Sequence, residues 1–161
     1  MHVWSVLVFA ALLAGCGGKS ASDYHNEARS ALDGGDTSGA LRLADEGLAA
    51  DAVKKDAAAA WRLEQIRLEA LAKSGKGADV KRELERLAGT YPAQVNASLY
   101  RSLADKAKAA GDTDGAIDVL GAGDKRFPAE HASFVEAINA LKSSGSLDPA
   151  QVQKLKALGY L

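Results

Sequence analysis

The 161-residue sequence has one cysteine, Cys16, so no internal disulfide can form and a cysteine-based metal site would have a single ligand, which argues against one. There are three prolines and 16 glycines without a strict period, which excludes collagen-like and low-complexity classes. Aromatic residues make up only 6%, and alanine leads the apolar residues. The best helix former therefore outweighs the aromatic and β-branched residues that strands favour, which argues against an all-β fold. Neither sign of charge prevails: 20 Lys and Arg stand against 21 Asp and Glu. A chain so balanced carries no electrostatic footprint for nucleic acid. The longest apolar stretch, residues 3–14 broken by Ser5, falls short of the roughly 20 residues that a membrane-crossing helix needs. No Gly-x-Ser-x-Gly elbow occurs. His2, His25 and His131 have no His or Cys partner at metal-ligand spacing. The expectation is a protein that is not an enzyme and has no catalytic residue, metal or cofactor.

What the N-terminus does contain is a segment of secretory-signal length, residues 1–15, ending in small residues. Taken alone, Cys16 is a free thiol beside an ordinary cleavage site. Leu13-Ala14-Gly15-Cys16, placed directly after the apolar run, resembles the lipobox of bacterial lipoproteins. That resemblance implies lipidation at Cys16 and a membrane attachment through the lipid. Gly17, where an Asp is linked to inner-membrane retention, implies the outer membrane, facing the periplasm. Residues 16–22 then read as lipidated Cys plus a small, polar, flexible tether. Its Gly17-Gly18-Lys19-Ser20 is not a phosphate loop, because no Gly stands five residues before Gly18 and no strand precedes it.

From residue 23 to 161, helix-sized segments alternate with short glycine-bearing breaks. Helices are expected at 24–32, 37–50, 56–74, 78–88, 94–110, 113–125, 130–143 and 149–158. Asp36, Asp112 and Asp148 suit N-caps, and Pro149 suits a first helical position. Gly34, Gly75, Gly111 and Gly145 sit where helices end in a left-handed residue. Apolar spacings such as Leu41/Ala44/Leu48 and Phe134/Ile138/Leu141 have helical period. The charged run 81–86 reads as a solvated helix face. Leu155 and Leu158 read as a terminal apolar cap ended by Gly159.

These segments repeat. Tyr24, Tyr100 and Phe134 each stand 11 residues before a glycine, Gly35, Gly111 and Gly145. With Gly75 marking a further unit, the units start about 40, 36 and 34 residues apart. Gly35-Asp36 and Gly111-Asp112 mark turns between paired helices, and Pro92 and Pro128 close units. The pattern resembles the tetratricopeptide repeat (TPR), in which antiparallel helix pairs stack into an α-solenoid. The fold expectation is therefore all-α, with about four TPR-like helix pairs. The second unit departs from the pattern, with Glu64 at the aromatic position and Arg67 at an apolar one. Trp61 is expected to take over that packing with a shifted register. An insertion is expected around 53–56.

The resemblance implies that the first helix of each pair lines a concave groove that holds a protein or peptide partner. Carried onto this sequence, that face holds His25, Arg29 and Asp33; Arg62, Gln65 and Glu69; Arg101, Asp105 and Lys108; and Asn139 and Lys142. Arg29, Arg62, Gln65, Arg101 and Asn139 are the candidate protein-binding residues. Arginines at successive turns can grip carboxylates through paired hydrogen bonds. The functional expectation is a lipid-anchored interaction scaffold of the bacterial envelope. Its alternatives are an accessory subunit of an envelope polymer-processing enzyme and a spacer without specific ligand.

Overall fold

The computed structural model describes residues 18–145 and 147–161. The expected signal segment 1–15 and the lipidation residue Cys16 lie outside the described residues. The first helix, α1 (Ala21–Asp33), begins ahead of the expected domain boundary at 23. Ser20 is its N-cap and accepts from the Asp23 amide at 3.2 Å, while Asp23 accepts from the Ser20 amide at 2.9 Å. This reciprocal cap satisfies two amides that a helix start otherwise leaves open, and it shortens the expected tether.

The chain continues through α2 (Thr37–Ala49), α3 (Asp51–Lys54), α4 (Ala57–Lys73), α5 (Gly77–Thr90), α6 (Ala97–Ala109), α7 (Thr113–Arg126), a 3-10 turn at Pro128–Glu130, α8 (His131–Ser143) and α9 (Pro149–Leu158). The fold is all-α, with no strand among the described residues. The antiparallel pairs are α1/α2, α4/α5 and α6/α7, while α8 and α9 each pack on α7, and the single turn α3 fills the expected insertion. First helices pack in series, α1 on α4, α4 on α6 and α6 on α8. Second helices α5, α7 and α9 form the adjoining layer. Gly35, Gly75 and Gly111 take the left-handed conformation at the turns, with φ of 84, 66 and 87°. Gly34 and Gly145, expected to do so, do not; at the first turn the role falls one residue later, where the chain must already reverse.

Helix α4 shows why the pairs cannot stand alone. Leu63, Ile66 and Ala70 pack into a cluster with α1 and α2, while Leu68, Leu71 and Ala72 pack into a second cluster that extends to α9. A helix apolar on both sides must be covered on both sides. Tyr100 and Phe134 are buried between successive units, as expected. Each lies against Gly123 of α7, where an added Cβ would fall 2.6 Å from the Phe134 ring and 2.9 Å from Tyr100 Cβ. Gly47 of α2 gives the same notch to Tyr24 and Leu63.

The second unit lacks this device. Thirty-six residues before Tyr100 and Gly123 stand Glu64 and Leu87, and both are buried. Trp61 does not take over the packing in a shifted register, because it is half-buried and meets the Tyr91 ring at 5.2 Å instead. Glu64 keeps the aromatic position, and α4 and α5 are joined by ion pairs. Arg86 donates to Glu64 Oε1 and Glu83 Oε2, both at 2.7 Å, and Arg67 donates to Glu83 Oε2 at 2.7 Å. Arg67 also reaches Asp45 of α2 at 2.8 Å. The run 81–86 is thus not wholly a solvated face: Glu83 is 8% exposed and points into this junction.

The end of the chain caps the last pair. Leu155 is buried, and Gly159 ends α9 at φ 86°. Lys154 pairs with Asp118 at 3.0 Å, and the Tyr160 hydroxyl donates to Asp124. His131 is exposed and lies 2.9 Å from the same carboxylate.

Candidate functional site

The layer of first helices carries the candidate residues. Between α6 and α8 a groove of about 350 Å³ is open to solvent. Its floor is apolar, formed by Ala104, Ala137, Ala140 and Leu141, and its edges are charged. Leu120 of α7, a buried residue of the second layer, also lines the groove. Arg101 and Lys108 stand on the α6 edge about two turns apart on one face, with Asp105 between them and Glu136 on the α8 edge. Arg101 donates to Ser133 of α8 and lies 4.0 Å from Glu130. Its guanidinium also lies over the Phe134 ring at 5.7 Å. Half-buried and held at three points, it is presented to the groove in a fixed pose.

The other candidates do not converge on this groove. Arg29 of α1 is engaged across the stack, 3.1 Å from Glu69 of α4. Glu69 also lies 3.3 Å from Lys73 and 3.9 Å from Lys106 of α6. Burial raises the Glu69 carboxyl, but hydrogen bonding from Arg29 and the charges of Lys106 and Lys73 outweigh it and hold the pKa below its ordinary value. Arg62 and Gln65 are exposed on α4, with no hydrogen bond or ion pair to either side chain among the described residues. By repeat register Arg62 stands level with Ser98, one turn before Arg101. Asn139 is exposed on α8 and accepts from Lys142 at 3.1 Å.

The ladder Arg29–Glu69–Lys106 crosses three first helices; Arg29 and Glu69 were both expected on this face, and Lys106 was not. Its signal was present. Arg29 and Glu69 each lie five residues after their unit's aromatic position, and Lys106 lies six after it. Alternating charge at nearly the same register is what stacked helices place side by side. Of the cations expected on this face the ladder engages Arg29, while Arg62 on α4 and Lys108 on α6 have no ion pair among the described residues.

Comparison of the chain with protein-family models, curated proteins and solved structures gives no match. No group of three or more His, Cys, Asp or Glu side chains is placed to hold a metal among the described residues. No helix among them is long and apolar enough to cross a membrane.

Proposed function

We propose that this chain is a TPR-type bacterial lipoprotein, attached through Cys16 to the outer membrane and facing the periplasm, where its helical repeats act as a non-catalytic scaffold for a protein or peptide partner. The α6/α8 groove is the observation that carries the reading. An apolar floor with charged edges suits a short amphipathic segment, since apolar contact supplies affinity and the edges supply orientation. Arg101 offers a prepositioned, charge-assisted donor, and Lys108 extends the positive edge. The lipobox-like Leu13-Ala14-Gly15-Cys16 supports the anchoring half of the proposal.

Two measurements test it. Replacing Cys16 by Ala releases the chain from the membrane fraction; retention equal to wild type refutes lipid anchoring. Partner capture by cross-linking on cells, followed by affinity measurement, tests the groove. Arg101→Glu with Lys108→Glu abolishes binding, whereas Arg42→Glu on α2, an exposed residue paired with Glu46 at 2.7 Å, leaves it intact. Equal loss from Arg42→Glu, or none from the double reversal, rejects this face.

A further inference from the structure

A second cleft, of about 410 Å³, lies on the side of the second helices between α5, α7 and α9. Its size falls in the range of small-molecule sites, roughly 300–1,000 Å³. Tyr100 of α6 lies at its floor. This residue is only 1% exposed, yet no hydrogen bond engages its hydroxyl among the described residues. The hydroxyl is not sealed in: the one fully buried side-chain polar atom left without a partner among those residues is Glu64 Oε2. The ring itself is fixed, edge-on to Phe127 at 5.8 Å and with Cβ against Gly123. Its far end faces the cleft, where Arg126 and Glu85 stand close enough to act on the phenol. Burial raises the phenol above its ordinary pKa of 10.0, with Arg126 opposing and Glu85 adding to the shift, so at neutral pH the hydroxyl is a donor.

The charges around the mouth do not cancel locally. Lys81 is committed to Glu85 at 3.9 Å, and Asp118 to Lys154 at 3.0 Å. Arg126 has only the Ala88 carbonyl at 3.3 Å and the Phe127 face at 5.8 Å. Lys125 is exposed, with no ion pair among the described residues. Leu158 and Ala122 give the cleft an apolar wall, and Gly121 keeps room beside it, since a Cβ there would fall 3.0 Å from Leu158.

We propose that this cleft binds a small organic monocarboxylate. The carboxylate accepts from the Tyr100 hydroxyl and from Arg126 and Lys125, and the apolar body lies on Leu158 and Ala122. Glu85 and Asp118 on the rim are already paired with Lys81 and Lys154, so the donors left open, the Tyr100 hydroxyl, Arg126 and Lys125, serve one carboxylate. This site uses the second-helix layer and does not rest on the scaffold reading of the α6/α8 groove.

Calorimetric titration of the full chain in lipid nanodiscs, corrected with empty nanodiscs, tests the proposal. Hexanoate and phenylacetate are the probes. Hexanol is the neutral control, and N-acetylglutamate methylamide stands for a carboxylate carried by a protein side chain. The expected result is saturable binding of the two acids with a Kd of about 1 mM or tighter. Tyr100→Phe weakens it about tenfold or more, and Lys125→Gln weakens it several-fold, with the melting temperature of both variants unchanged. Four results overturn the proposal: no saturable heat with either acid, equal binding by Tyr100→Phe, hexanol as tight as hexanoate, or tightest binding by the glutamate mimic. A Tyr100→Phe variant that melts several degrees lower also overturns it, because the hydroxyl then serves the fold.

Discussion

Asp112→Ala is expected to destabilise the fold roughly two to four times as much as Asp36→Ala, although both remove an N-cap at the same turn of a repeat. Asp36 caps one helix, accepting from the Gly39 amide at 2.8 Å. Asp112 caps two. Its Oδ1 accepts from the Gly115 amide of α7 at 2.8 Å, and its Oδ2 accepts from the Gly77 amide of α5 at 2.7 Å. The second bond exists because the residue before Gly77 is Lys76, which provides no side-chain cap. It also needs the two helix starts to touch: a Cβ on Gly77 would fall 2.3 Å from the Gly115 Cα. A lost N-cap costs about 1 kcal/mol, within a range of roughly 0.5–2. The Gly77 amide is in a buried residue, so leaving it unpaired adds to that loss. The expected totals are about 1 kcal/mol for Asp36→Ala and about 2–4 kcal/mol for Asp112→Ala.

Urea unfolding followed by circular dichroism measures both. Because Asp112 ties unit to unit, its loss also weakens the interface term that makes stacked repeats unfold together, and the transition broadens. Lys76→Asp placed on top of Asp112→Ala gives α5 its own cap and recovers about 1 kcal/mol. The backbone contact supplies a further control. Gly39→Ala displaces only the Asp36 side chain, whereas Gly115→Ala drives a methyl within 2.6 Å of the Gly77 Cα and is the more damaging change. Equal losses from Asp36→Ala and Asp112→Ala, with no recovery from Lys76→Asp, refute the double cap.

Two further outcomes follow from the packing and the ion pairs. Phe134→Ala removes a ring that is wholly buried between units and costs roughly 3–5 kcal/mol by the same assay; a loss below about 1 kcal/mol places the ring outside the core. Acid is the second. Burial raises the Glu83 carboxyl, but hydrogen bonds from Arg86 and Arg67 and their charges hold it below its ordinary 4.5, and Glu69 is likewise depressed. A depressed folded pKa contributes stability above the unfolded value that is lost as pH falls through the folded one. Stability therefore falls as the pH drops below about 4.5, and Glu83→Gln flattens that slope in a pH series of urea midpoints. An unchanged slope in that variant refutes the assignment.

Much of the fold was legible because it rests on local signals. The caps Asp36, Asp112 and Asp148, the turn glycines and the helical spacing of Leu and Ala each act within a few residues. The repeat added long-range information, since Tyr100 and Phe134 at matching register had to fall between units. The second unit was harder to read for a physical reason. Glu64 at an aromatic position looks like a broken repeat until its hydrogen-bond partner is known, and that partner, Arg86, is 22 residues away on another helix. No periodicity reports that Arg86 will reach Glu64 or that Glu83 will share Arg67. The candidate groove was legible only in part for the same reason. Arg29 was assigned to the right face, but its capture by Glu69 depends on which side chains meet across stacked helices.

The replacement of Tyr and Gly by Glu64 and Leu87 gives the second unit a junction unlike the other two. Where Gly47 and Gly123 let an aromatic or leucine side chain press against backbone, Leu87 fills the notch itself, and α4 and α5 pack less extensively than α1 and α2 or α6 and α7. The carboxylates in the gap are nearly buried, and Glu64 Oε2 has no hydrogen-bond partner among the described residues. A buried network of this kind adds little net stability over an apolar core, but losing one member leaves an uncompensated charge. Directional bonds from two arginines to two glutamates also fix the angle of α5 against α4 more narrowly than apolar contact does. Helix α5 in turn meets α7 at the Gly77–Asp112–Gly115 contact, and α7 carries both Leu120 in the α6/α8 groove and Arg126 at the Tyr100 cleft. The irregular unit thus abuts a helix that lines both candidate sites.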